Sequence, residues 1–216
     1  SNKHFNVDQG DIIYGLAGIK NVGEGAVEII VEEREKNGPY KSFMDFLNRQ
    51  GENTLNSRLI ESLIKAGAFD ELGTDRATLL ANLEDALKFD KANKANSAFG
   101  QMSLFGDDEE DGLGDFEMRQ ADPFPLMELL RMEKEMLGFY ISGHPLDTFK
   151  KELSECVRVN LLDADTIPFG QKTQIIAQVI GQRTVLTKRG DKMAIYTLQT
   201  KEGALDSVAF PKTFAT

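Results

Sequence analysis

The apolar positions of residues 14–95 recur at helical spacing. Ala26, Ile29 and Ile30, backed by a charged Glu32-Glu33-Arg34 face, predict a helix from about Gly23 to Lys36 that Asn37-Gly38-Pro39 ends. Ser42 is placed to cap a short helix carrying Phe43, Phe46 and Leu47. Asn56 caps Arg58–Ala66, where Leu59, Ile60, Leu63 and Ile64 share a face and Gly67 stops the helix. Past "AFDELG", Thr74 is expected to cap a longer helix with Ala77, Leu80, Leu83 and Leu87 inward. The order is helix, tight turn, helix, given twice.

The period then changes. Residues 96–125 are rich in Gly, Asp, Glu and Pro and predict a linker, broken only by the apolar trio Met102, Leu104 and Phe105. Helix returns at Leu126–Phe139, with Leu126, Leu129, Leu130, Met136 and Leu137 on its buried face, and Phe149, Leu153 and Val157 suggest one more short helix. From about Lys172, β-branched and aromatic residues separated by the turns "KRGD" and "KEGA" predict an antiparallel meander of three strands. The expected fold class is therefore α+β, mostly helical with a small sheet at the end. Three strands do not close a barrel, so a sheet domain is expected here only in part.

The chain has 216 residues, enough for one sizeable core or two small ones. No apolar run approaches the ~18 residues of a membrane span and no charged-then-apolar leader opens the chain, so the expectation is a soluble cytoplasmic protein without a membrane partner. A lone Cys156 forms no internal disulfide, and with only His4 and His144 beside it a structural zinc site is not expected. The formal charge of -10 argues against nucleic acid until it is located. Residues 96–125 hold eight acidic residues against one basic, while 14–95 hold 14 acidic against 11 basic and 170–216 hold seven basic against three acidic. The global sign thus describes the linker more than the modules around it.

Chemistry is suggested by the turns. In "GLAGIKNVGEGAVEII", Gly23 and Gly25 sit where a turn runs into a helix, which lets a phosphate approach main-chain amides closely, and Lys20 adds charge. A glycine-rich helix start that binds nothing is the alternative for one such turn. A second turn, "AGAFDELGTDRA", repeats the arrangement with Gly67, Gly73, Thr74 and Arg76. No catalytic constellation is expected with them: Asp163-Ala164-Asp165 before Pro168 reads as turn chemistry, His144 before Pro145 as a loop residue rather than a general base, and the sequence shows no nucleophile-base arrangement.

The paired turns resemble a tandem helix-hairpin-helix domain, a fold that holds duplex DNA by its backbone. More specifically, "YGLAGIKNVGEGAVEIIVEERE", "LNSRLIESLIKAGAFDELG", "RATLLANLEDAL", "EKEMLGFYISGHPLD" and "TKRGDKMAIYTLQ" together resemble, in order, the bacterial replicative C-family DNA polymerase III alpha subunits behind their catalytic domain. That resemblance implies an extension from the fingers region (1–13), the tandem hairpin domain (14–95), an acidic linker (96–125), a helical connector (126–169) and the first three strands of an OB-fold (170–216).

It implies that Lys20, Asn21, Val22, Gly23 and Gly25 form the first DNA-contacting hairpin, and Gly67, Gly73, Thr74 and Arg76 the second. The second departs from the family pattern at Phe69-Asp70-Glu71, and acidic residues repel phosphate, so the first is expected to be the firmer contact. The charge of 14–95 implies weak binding with a shallow salt dependence. Gln101-Met102-Ser103-Leu104-Phe105 has the form of the family's sliding-clamp-binding peptide, with Leu104 and Phe105 to fill an apolar pocket; folding back onto the helices is the alternative. Arg183, Lys188, Arg189, Lys192 and Tyr196 would face single-stranded DNA, or else form only a charged hairpin tip.

The implied partners are duplex DNA, the beta sliding clamp, single-stranded DNA and other replisome subunits. No catalytic residue and no cofactor is expected in this chain; the parent polymerase is expected to use Mg2+. Rival readings are a repair enzyme built from the same modules, although the four-cysteine zinc site and adenylated lysine of such ligases are missing, and a helical adaptor that never meets DNA.

Overall fold

A computed structural model describes residues 2–51, 56–98, 116–149, 167–201 and 203–215. The chain divides into two units, residues 1–142 and 143–216. The first opens with a hairpin that the hydrophobic pattern did not announce. β1 (Asn6–Asp8) pairs antiparallel with β2 (Asp11–Ile13), and Gln9 and Gly10 turn the chain with φ of 50° and 95°. Two successive positive φ values are the signature of a type I′ turn, whose twist matches that of the strands it joins.

Among the described residues five α-helices follow: α1 (Glu24–Asn37), α2 (Phe43–Arg49), α3 (Ser57–Lys65), α4 (Arg76–Ala98) and α5 (Leu126–Leu137). Ser42 and Asn56 cap α2 and α3 as expected, accepting from the amides of Asp45 and Leu59 at 3.0 and 2.8 Å. At α4 the cap is Asp75, not Thr74: its Oδ1 accepts from the Thr78 amide at 2.9 Å. α3 ends in a Schellman arrangement. The Ala68 amide reaches back to the Leu63 carbonyl and the Gly67 amide to that of Ile64, with Gly67 at φ +81°.

The core gathers where the helices meet. Phe43, Phe46, Ile60, Leu63, Ile64 and Leu79 are almost wholly buried, as is Val27 of α1, while Ile29, expected inside, is exposed. Phe69, which breaks the expected hairpin pattern, sits edge-on to Phe43 and Phe46 at 5.2 and 4.9 Å between ring centres. Such edge-to-face packing adds about 0.5–1.5 kcal/mol per pair beyond simple burial. Arg49 fastens the end of α1 to α2: it donates to Glu33 Oε1 at 3.0 Å and to the Gly38 carbonyl at 2.8 Å, and lies 4.4 Å over the Tyr40 ring.

Of the expected linker, residues 96–98 are the last of α4, and residues 116–125 are docked on that helix. Asn82, itself buried, donates to the Arg119 carbonyl at 2.8 Å and accepts the Arg119 amide at 2.9 Å. One turn earlier on α4, Thr78 Oγ1 accepts from the Ala121 amide at 3.1 Å. Two buried side chains at i and i+4 thus act as a strip of ladder partners for main-chain groups of an extended segment.

The second unit is described by itself. A 3-10 turn, Pro145–Phe149, precedes a meander of β3 (Gln178–Leu186), β4 (Lys192–Gln199) and β5 (Ala204–Ala209) in the order β3-β4-β5, closed by a short α6 (Pro211–Phe214) that packs on β4 and β5. The register pairs Tyr196 with Gln182 and Ser207, and Ile195 with Arg183 and Val208; a bulge at Ile180 shifts it. Among the described residues of the strands and their turns, Ala194 and Thr200 are the buried ones.

Candidate nucleic-acid interface

The first hairpin is built by burying two residues and freeing the rest. Ile19 and Val22 point into the core, and the Val22 amide closes the turn on the Ile19 carbonyl at 3.1 Å. Asn21 between them takes the left-handed conformation, φ +66°, which asparagine tolerates better than most residues, and its amide group donates to Ser62 Oγ at 3.2 Å. α3 thereby holds the turn's shape.

Gly23 stands in extended conformation at the N-cap of α1 with no side chain capping the first-turn amides. A Cβ at Gly23 or at Gly25 would meet nothing within 4 Å. The backbone there faces open space, so an anion can reach the amides and the positive end of the helix dipole directly. Lys20 Nζ is exposed beside it, 3.8 Å from Glu135, while the Lys20 amide is tied to the Met136 carbonyl of α5 at 2.9 Å.

The second hairpin differs in each respect. Gly67 is needed, since a Cβ there would lie 2.3 Å from Arg76 Nη2. Gly73 takes φ +83° and Thr74 follows it, but the helix start beyond them is occupied by the Asp75 carboxylate. Burial works against that charge, yet hydrogen bonds from Thr78 hold the Asp75 carboxyl below its ordinary value. A carboxylate therefore stands where a phosphate would sit.

Arg76, expected to meet phosphate, is turned inward. It is buried, and all three guanidinium nitrogens donate within the fold: to Asp70 at 2.6–3.2 Å, to the Lys65 carbonyl at 3.3 Å and to Glu133 at 3.1 Å. The cause is Asp70 in the same turn, which supplies the anion from within. Thus the structure brings Lys20, Asn21, Val22, Gly23 and Gly25 together at one open turn. At the second turn Gly73, Thr74 and Arg76 line one cavity with Asp70 and Asp75, so the two carboxylates share the place offered to a phosphate.

Two residues with a part in these turns escaped the sequence reading. Glu133 of α5 is fully buried and accepts from Arg76 Nη2, from the Ile141 and Ser142 amides at 2.7 and 3.0 Å, and from Ser142 Oγ. Burial alone would raise its pKa; the Ser142 and Ile141 hydrogen bonds and Arg76 overcome this and hold it below the ordinary glutamate value. The available signal was its place in the stripe Leu130, Glu133, Met136, where an apolar side chain is expected. The other is Lys3, which bridges Glu24 and Glu28 at 2.8 and 2.6 Å.

In the second unit the five residues expected to meet a single strand are dispersed. Lys188 and Arg189 lie in the β3–β4 turn, where the Thr187 amide donates to the Asp191 carbonyl at 2.8 Å. Lys192 and Tyr196 share one face of β4, whereas Arg183 is paired with Ile195 and so lies on the opposite face, 3.7 Å from Asp206. Gln101, Met102, Ser103, Leu104 and Phe105 lie outside the described residues. Among the described residues no helix is long and apolar enough to cross a membrane, and no group of three or more His, Cys, Asp and Glu is arranged to hold a metal ion.

Comparison with known proteins bears on the open turn. A family described as the helix-hairpin-helix motif matches residues 1–79, from the N-terminal strap through the second hairpin into the first turn of α4. The chain is 37% identical over 217 residues to DNA polymerase III subunit alpha of Borreliella burgdorferi, covering 99% of this chain and 19% of that protein. The like-named subunit of Treponema pallidum is 36% identical over 211 residues, covering 98% and 18%, and that of Escherichia coli (strain K12) 38% over 210 residues, covering 96% and 18%. The chain thus spans about a fifth of the length of these relatives.

Proposed function

We propose, on the premise that this chain is homologous over nearly its whole length to a segment of the DNA polymerase III alpha subunit, that it grips duplex DNA and tethers the polymerase to its sliding clamp, carrying no catalytic group itself. The observation that supports the grip is the uncapped N-terminus of α1 at Gly23, open to solvent beside Lys20 within the region that matches the helix-hairpin-helix motif. Main-chain amides hold a phosphate whatever base it carries, so the contact fixes position and reads no sequence. The first hairpin bears the contact and the second braces it.

Binding is tested by fluorescence anisotropy with a labelled duplex at two salt concentrations. Lys20→Ala is expected to weaken binding to all duplexes alike and to lower the salt slope by about one unit. A chain that leaves duplex unbound at low salt is a helical adaptor, and a loss confined to one sequence contradicts a backbone contact.

The tether rests on Gln101-Met102-Ser103-Leu104-Phe105, whose amide and two apolar side chains suit a shallow pocket on a ring-shaped partner. Such a short peptide binds weakly alone, and DNA held by the hairpin raises its effective concentration near the ring. Leu104→Ala combined with Phe105→Ala is expected to abolish clamp binding and leave duplex affinity unchanged; clamp binding that survives the pair refutes the tether. The β3–β5 meander is read as the start of an OB-fold for single-stranded DNA, with Lys192 and Tyr196 as the contact pair because they share a face. A cytoplasmic replisome is the setting this reading implies.

A further inference from the structure

The N-terminal strap, residues 2–4, is held in place by several hydrogen bonds although Asn2 and His4 are exposed and Lys3 is half-buried. The Leu16 and Ala17 amides donate to the carbonyls of Asn2 and Lys3 at 2.9 and 3.1 Å, and Arg34 donates to the Asn2 side chain at 2.7 Å. A Cβ on Gly15 would lie 2.5 Å from the His4 carbonyl carbon, so the strap lies flat only because residue 15 is glycine. This placement delivers Lys3 Nζ to Glu24 and Glu28 together, at 2.8 and 2.6 Å.

Those two carboxylates stand one turn apart on α1, and Glu24 is the residue directly after Gly23. Unmasked, they would repel one another and any polyanion approaching the open amides. The hydrogen bonds to Glu24 and Glu28 raise the Lys3 ammonium above its ordinary value, and the bond from Lys3 holds the Glu24 carboxyl below its own, so the clasp is charged on both sides at neutral pH.

Resting on the reading that the first hairpin holds phosphate, we propose that Lys3 is a positioning residue for that site. It masks Glu24 and Glu28 and so sets how strongly the hairpin accepts DNA.

The test uses the full chain and a labelled duplex at about 0.1 M salt, where charges more than about 10 Å apart are largely screened. Lys3→Ala is expected to lower affinity about twofold, the effect of one unit charge at ~8 Å in water. Glu24→Gln with Glu28→Gln in the Lys3→Ala chain removes two negative charges for the one positive charge lost, and is expected to restore affinity to the parent value or above it. Glu32→Gln with Glu35→Gln makes the same charge change on the same helix, with Glu32 eight residues or about 12 Å from Glu24, and is expected to restore nothing. Lys3→Met, which keeps the packed stem, replaces Lys3→Ala if the melting curve shows that alanine loosens the strap.

Three results overturn the proposal: affinity indifferent to Lys3, rescue by the distant pair equal to rescue by the near pair, or no rescue by the near pair, in which case Lys3 itself holds phosphate. If the unaltered chain fails to bind duplex, the grip falls and this inference with it. Binding that ignores Lys3 removes this inference alone.

Discussion

Replacing Glu133 by glutamine keeps the shape of a fully buried side chain and removes its charge. The Ile141 and Ser142 amides, 2.7 and 3.0 Å from Oε2, belong to the main chain and have nowhere else to turn. The amide oxygen of glutamine must therefore take the Oε2 position, and its NH2 group then faces Arg76 Nη2. A donor meets a donor in the interior, and Arg76 keeps the Lys65 carbonyl and a single carboxylate, Asp70, whose side chain is 47% exposed. Losing one charge-assisted hydrogen bond costs about 1.5–3 kcal/mol, and orphaning one member of a buried pair costs about 3–5 kcal/mol. With Asp70 retaining part of the pairing, about 2–4 kcal/mol is expected, a large share of the ~5–15 kcal/mol that holds a typical domain.

Urea unfolding measures it as a fall in midpoint without a change in slope. The acid limb supplies an independent readout. The folded-state pKa of Glu133 lies below the ordinary 4.5, so at mildly acid pH the unfolded chain binds the extra proton and stability rises with pH. The contribution is fully present above the unfolded value and disappears as pH falls through the folded one, so the gap between parent and Glu133→Gln should close with acid. A variant within about 0.5 kcal/mol of the parent at neutral pH, or a gap that stays constant down to low pH, refutes the account of this network.

Gly67→Ala is expected to destabilise the first unit by more than the ~1 kcal/mol of a left-handed alanine, because the new methyl also displaces Arg76 from 2.3 Å; chemical denaturation reads the loss. Asn82→Ala removes the bidentate hold on Arg119, and about 1–3 kcal/mol follows from losing two hydrogen bonds at ~0.5–1.5 kcal/mol each. Hydrogen exchange should then speed at the Arg119 and Ala121 amides and stay slow across α3; equal exchange in parent and variant would falsify the ladder. Ser42→Ala is expected to cost about 1 kcal/mol by uncapping α2, measured by the same unfolding curve.

Much of the helical architecture was legible because its signals are local. Phe43, Phe46 and Leu47, and Leu59, Ile60, Leu63 and Ile64, lie where their spacing put them, and Ser42 and Asn56 cap as expected. Thr74 and Asp75 are adjacent residues that both favour caps, and only the positive φ of Gly73 decides which one the chain reaches first. The β1–β2 hairpin went unnoticed because three-residue strands are too short to display alternation.

At the site, glycine spacing pointed to the turn at Gly23, where the helix start is uncapped and open, since conformational freedom is a property of the residue itself. Arg76 misled because its role is relational. A cation beside a turn suits a phosphate equally well, and only the fold brings Glu133 from 57 positions away to meet it. Lys3 was illegible for the same reason: its partners Glu24 and Glu28 are set by the strap across Gly15.

The bond between the Lys20 amide and the Met136 carbonyl has a consequence during synthesis. The two groups leave the ribosome more than a hundred residues apart, an interval on the order of ten seconds at bacterial elongation rates. Until α5 arrives, α1 to α4 must rest on the Phe43, Phe46 and Phe69 cluster and on Leu79 and Leu83 of α4, and the surface destined for Leu130 and Met136 stands uncovered. The nascent chain is therefore most open to chaperones and to mispairing in the interval just before Leu126 emerges.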